Sequence, residues 1–229
     1  MSESKLSQKP YTFSVSNGMY DCDSCAPKIN VKADGQDQSV SGQPYDTISI
    51  RVEVPGTIHV VTKKNGKTTS DSTRTVSRDG NSLGISSTNY PADGSPPFHA
   101  ESMWTRVSDG PAGSDKTSGS WRVQDVNEDS AGLTSTWKVS GDEVTMSTAT
   151  GESWQAKIGG GESPVNGIYA NETVSVKKLG PSDLEITYKR DGKVYVVDRV
   201  TVAADGKKMT TVSDNKWLGR TSTFVDEKQ

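Results

Sequence analysis

The chain has 229 residues, a net charge of -3 and a pI near 5.5. That length makes one large or two small domains, with no basic surplus to draw the chain to nucleic acid. Apolar residues make up 31%, mean hydropathy is -0.66, and no apolar run reaches the length of a membrane-spanning helix.

Ser and Thr number 54 against 6 Leu, a balance that favours half-exposed strands over helices. The start, Met1-Ser-Glu-Ser-Lys5, lacks the apolar centre of a secretory signal. The expected location is therefore the cytoplasm, or the periplasm or cell exterior if a leader has been removed. Cys22 and Cys25 are the two cysteines. Their CxxC reads as a short disulfide or reduced turn, with half a zinc site or a redox pair as alternatives. Asp46–Val54 alternates, with Ile48, Ile50, Val52 and Val54 on one face, which predicts a strand with one buried face. Thr57–Lys63, the turn Asn65-Gly66, Lys67–Ser77 and the turn Asp79-Gly80 continue a run of hairpins. The stretch from Ser108 to Ser118 is rich in Gly, Ser, Pro and Asp and reads as a linker.

Residues 47–80 align with 173–206 without a gap, and ten of the 34 positions are identical, among them Pro55/Pro181, Gly66/Gly192 and Gly80/Gly206. Upstream, Phe13-Ser-Val-Ser resembles Trp137-Lys-Val-Ser. This is an internal duplication, with a first repeat over 1–112 and a second over 117–229. The second half supplies strand candidates at Ser120–Val126, Leu133–Val139, Glu143–Thr150, Trp154–Ile158, Asp183–Arg190, Lys193–Ala203 and Arg220–Val225. The reading is all-β: two tandem antiparallel meander barrels, or one large sheet with internal pseudo-symmetry.

The second half opens with Gly119-Ser-Trp121 and closes with Gly219-Arg-Thr-Ser-Thr-Phe-Val-Asp-Glu-Lys228. It thereby resembles the calycins, the lipocalins and fatty-acid-binding proteins. The whole chain resembles bacterial exported proteins of two such repeats, which end strands in Asp-Gly-Lys as at Asp191-Gly-Lys193. The resemblance implies a lipocalin-like binding protein for a small apolar or amphipathic ligand. Phe224 and Asp226 stand where fatty-acid-binding proteins carry an Arg-x-Tyr pair for a carboxylate, so a hydrophobic or neutral ligand is expected. The first half has no Gly-x-Trp strand before Tyr11. Its sheet is expected to leave an open edge, filled by the second half, by a partner chain such as another copy in a homo-oligomer, or by residues trimmed from the chain.

Aromatic side chains line apolar pockets, so Trp104, Trp137, Trp154, Tyr188 and Phe224 are the ligand-facing candidates. Trp121 reads as a core plug and Trp217 as an exposed hairpin residue. The alternative is a cofactor-independent, hydrolase-like enzyme using Cys22, Cys25, His59 or His99 as nucleophile and base. All four lie in the first half, which would place the site there or between the halves, with the second half as scaffold. A third reading is a structural envelope protein with filled barrels. No cofactor and no metal is expected, since Walker, Gly-x-Ser-x-Gly and HExxH signatures are missing.

Overall fold

The computed structural model describes residues 10–25, 27–91, 94, 96–128, 134–148, 151–166, 171–217 and 219–228. Among these there is no helix, and so none able to cross a membrane. The chain forms two antiparallel sheets. The first holds β1 (Tyr11–Ser16), β2 (Met19–Cys22), β3 (Ile29–Lys32), β4 (Gln38–Ser39), β5 (Thr47–Val54), β6 (Thr57–Lys64), β7 (Lys67–Val76), β8 (Ser82–Asn89), β9 (Phe98–Asp109) and β10 (Gly119–Glu128). The second holds β11 (Ser135–Ser140), β12 (Glu143–Thr148), β13 (Ser153–Lys157), β14 (Ser163–Asn166), β15 (Glu172–Gly180), β16 (Asp183–Arg190), β17 (Lys193–Val202), β18 (Lys208–Asn215) and β19 (Arg220–Glu227). Leu133 and Thr150, expected in strands, lie outside the described residues.

The duplication is visible strand by strand. β6, β7 and β8 recur as β16, β17 and β18, offset by 126 residues at both ends. The hairpin turns recur too: Asn65 and Gly66 have φ of 50° and 74°, and Asp191 and Gly192 have 49° and 73°. Asn, Asp and Gly tolerate that left-handed backbone, and the turn matches the twist of its strands.

The first sheet runs β3-β2-β1-β10-β9-β8-β7-β6-β5-β4. Its two ends are consecutive in the chain, and Asp34 between them bridges Arg51 of β5, so the sheet curls into a nearly closed barrel. Phe13, Val15, Tyr20, Ile29, Val31, Ile48, Ile50, Ile58, Val60, Leu83 and Trp121 fill its interior. The second sheet runs β11 to β19 in chain order and is a half-barrel, with β11 and β19 each paired on one side among the described residues. Its separate core contains Val144, Trp154, Val174, Val176, Ile186 and Tyr188.

Three expectations change. The Gly119–Trp121 strand does not open the second sheet. β10 lies between β9 and β1 and supplies the strand missing from the first sheet. The open edges therefore belong to the second sheet, and oligomerisation through an edge of the first loses its basis. Val52 is exposed, because a bulge between Val52 and Val54 ends the regular pairing of β5 with β6 beyond the core.

β10 is held by its own linker. Asp115 Oδ1 accepts from Thr117 N at 2.8 Å and Oγ1 at 2.7 Å, and Oδ2 accepts from Gly56 N at 3.0 Å. The Arg106 guanidinium donates to Ser118 O and Lys116 O, both at 2.7 Å, and lies 4.0 Å over the Trp121 ring. Trp121 is fully buried, and its Nε1 donates to Thr117 O at 2.9 Å. Gly119 is required here: its φ is 144°, and a Cβ would stand 2.5 Å from Ser108 O.

Candidate functional site

The expected residues fall in different places. Cys22 and Cys25 are bonded to each other, with Cys22 buried in the first core. His59 is on the outer face of β6, its Nε2 2.7 Å from Asp71 Oδ1. His99 is exposed on β9, its Nδ1 3.1 Å from Thr88 Oγ1. Neither cysteine is a free thiol, and both imidazoles stand on outward positions, so these four residues do not assemble into a nucleophile and base. Trp104 is half-buried against the first core, 5.9 Å from the Tyr11 ring, with Nε1 donating to Ser102 Oγ at 2.8 Å.

Three of the remaining aromatic candidates meet inside the second sheet. Trp137 on β11 meets Trp154 on β13 edge-on at 5.7 Å, and Trp154 meets Tyr188 on β16 at 6.4 Å. The line continues to Tyr195 on β17 at 6.4 Å and to Trp217 at 5.3 Å. β13 and β16 are not neighbours, so Trp154 and Tyr188 touch across the curve of the sheet, where Trp154 Nε1 donates to Tyr188 Oη at 3.1 Å. Trp217 is half-buried rather than exposed, because Tyr195 and Arg190 pack on it. Phe224 is on the inward side of β19, in step with buried Ser222, but remains open at the sheet edge.

Charge is gathered beside this ladder. Glu172 and Arg190 form a buried pair, Nη2 to Oε1 2.9 Å and Nε to Oε1 3.2 Å. The guanidinium lies 4.7 Å over Tyr195 and 4.9 Å over Trp217, a cation between two π faces. Burial pushes the Glu152 carboxyl up to about 7, helped by repulsion from Glu172 and Asp198. Asp198 faces inward beside Ile186, and burial raises it too, against a hydrogen bond from Ser213. Asp198 Oδ1 is buried and has no hydrogen-bond partner. Burial, with Glu152 and Asp198 nearby, holds the Tyr188 hydroxyl in its neutral form. Three carboxyls and one cation thus border an aromatic wall. Among the described residues no group of His, Cys, Asp or Glu is arranged to hold a metal ion.

Sequence reasoning named Trp137, Trp154, Tyr188 and Phe224 but missed Glu152, Glu172, Arg190, Tyr195 and Asp198. It placed reactive chemistry in the first half, whereas the clustered polar and aromatic groups line the second. The repeat alignment carried a signal. At an offset of 126, buried Thr62 and Ser72 become Tyr188 and Asp198, and Lys64 becomes buried Arg190. An inward polar position that gains an acid or a large aromatic departs from plain packing. A separate groove of about 490 Å³ lies on the outer face of β7–β9 over Gly84, lined by Thr73, Thr75, Ser86 and Met103, away from the ladder. No protein-family model, curated protein or solved structure matches the chain.

Proposed function

We propose that the chain is a lipocalin-like binding protein that takes a small amphipathic ligand in the half-open second barrel. The observation carrying this is the ladder from Trp137 to Trp217 with the unpartnered Asp198 Oδ1 beside it. Buried polar groups need partners, and a ligand lying on the aromatic wall would bring a donor to Asp198 and Glu152. The carboxyl surplus favours a neutral donor or an amine and disfavours a carboxylate. The filled first barrel is scaffold in this reading. The Cys22–Cys25 bond supports an oxidising compartment such as the periplasm.

Titrating intrinsic Trp fluorescence with three lipophiles of matched length, bearing an amine, a hydroxyl or a carboxylate, tests it. We expect the amine to bind at least tenfold more tightly than the carboxylate. Its affinity should rise from pH 6 to pH 8 as Glu152, with its pKa near 7, becomes anionic. Preferred binding of the carboxylate would overturn the proposal.

A further inference from the structure

We infer that the second sheet is a strand acceptor: the slot bordered by β19 and β11 receives one extended Gly-x-Trp-Arg segment, of the β10 type, donated by another polypeptide. The first sheet shows this slot filled. There β10 pairs with β1 on one side and β9 on the other.

The registers identify the counterparts in the second sheet. Val15 pairs with Tyr20 as Val139 pairs with Val144, so β11 corresponds to β1 at an offset of 124. Leu83 pairs with Trp104 as Met209 pairs with Asp226, so β19 corresponds to β9 at an offset of 122. No strand joins β11 to β19 among the described residues.

Side-chain exposure marks the gap. Val15, bonded to Ser118 and Asp115 just before β10, is 4% exposed, whereas its counterpart Val139 is 64% exposed. Phe13 is 2% exposed, whereas its counterpart Trp137 is half-exposed. Phe224 on the other edge is 52% exposed although it sits on the inward side of β19. The large aromatics of the ladder therefore do not cover these edges. Two unpaired edges with uncovered inward apolar residues form a template for strand addition.

The charges suit a strand of the β10 pattern. In the first sheet Arg122 stands opposite Thr105 and Trp121 opposite Arg106. At the offset of 122 those places are Glu227 and Lys228. A donated strand in the same register would set its Arg opposite Glu227, an oppositely charged cross-strand pair, and its Trp beneath Lys228 as Trp121 lies beneath Arg106. Among the described residues, Glu227 forms an ion pair with the exposed Lys208, at 3.2 Å. A second copy cannot supply the strand without loss: each chain has one β10, and the Asp115, Arg106 and Thr117 contacts fasten it in the first sheet.

The test uses the full chain and a synthetic peptide copying Gly119–Glu128. We expect one peptide per chain, with hydrogen exchange slowed in Ser135–Ser140 and Arg220–Glu227. A peptide with Ala in place of the Trp should bind at least tenfold more weakly. E227K should weaken the Arg-bearing peptide about tenfold and restore binding to a peptide with Glu in place of that Arg. Glu227 is exposed, so this variant leaves the fold intact. Any of four results would overturn the inference: no saturable binding up to millimolar peptide; protection appearing in β1 and β9 instead; edges already protected in a concentration-dependent dimer without peptide; or binding indifferent to both the Trp and the charge swap.

Discussion

At the scale of single residues, the second barrel carries a cost that the first does not. Glu152 sits in the half-barrel with a pKa near 7, raised by burial and by Glu172 and Asp198. An unfolded glutamate titrates near 4.3. Between those values the folded state binds a proton that the unfolded state has released, so stability falls as pH rises through this window and the loss is complete above about 7. The shift corresponds to roughly 4 kcal/mol at most, and solvent screening in the half-open sheet brings it to about 2 to 3. E152Q should therefore leave stability at pH 4 nearly unchanged, raise it by about 2 to 3 kcal/mol at pH 8, and flatten the slope between. Urea unfolding at a series of pH values checks this, and a variant as pH-dependent as the parent would show that Glu152 is not the group responsible. A site that keeps ionisable groups out of water gives up stability in this way.

At the scale of the element, β10 decides how the duplicated halves differ. Its local sequence, Gly-Ser-Trp-Arg-Val, suits either sheet equally. What assigns it is the preceding linker, where Asp115 accepts from Gly56 N of the first half and the Lys116 and Ser118 carbonyls accept from Arg106 on β9. We expect Trp121→Ala to cost about 3 to 5 kcal/mol and Asp115→Ala about 1 to 3 kcal/mol, since it strands the Gly56 and Thr117 donors. Chemical denaturation followed in the first half measures both. An Asp115 variant as stable as the parent would mean that the linker does not fasten β10. This element also shows where the sequence could be read and where it could not. Alternation at Ile48 and Ile50 and the Asn65-Gly66 and Asp191-Gly192 turns are local signals, and they led to the right strands and the right repeat. The partner of β10 depends on edges more than a hundred residues away in part, and a Gly, Ser and Pro composition gives no hint that a linker is fixed. The site was legible by residue type alone. Tryptophans could be named as wall candidates, but nothing local in the sequence marks Glu152 as inward; the curve of the sheet places it inside.

At the scale of the whole molecule, the two cores share no residue, and each is enclosed by its own sheet. Separate cores make separate cooperative units. The first unit has a nearly closed sheet, a disulfide and a clamped strand, whereas the second has two open edges and buried carboxyls. Calorimetry at pH 8 should therefore resolve two transitions, the second half melting first. E152Q should raise the lower transition alone. Trp121→Ala should lower the upper one alone by roughly 12 °C or more, taking 4 to 8 °C per kcal/mol for a unit of this size, which brings the two together. The disulfide adds a third handle. Reducing Cys22–Cys25 should lower the upper transition by about 16 °C at most, because a loop this short removes only about 2 kcal/mol or less of unfolded-chain entropy. A single transition that both substitutions displace would mean that the halves unfold as one. In that event β10 and the chain that follows it would be coupling the barrels, and an open edge on the second would be felt by the first.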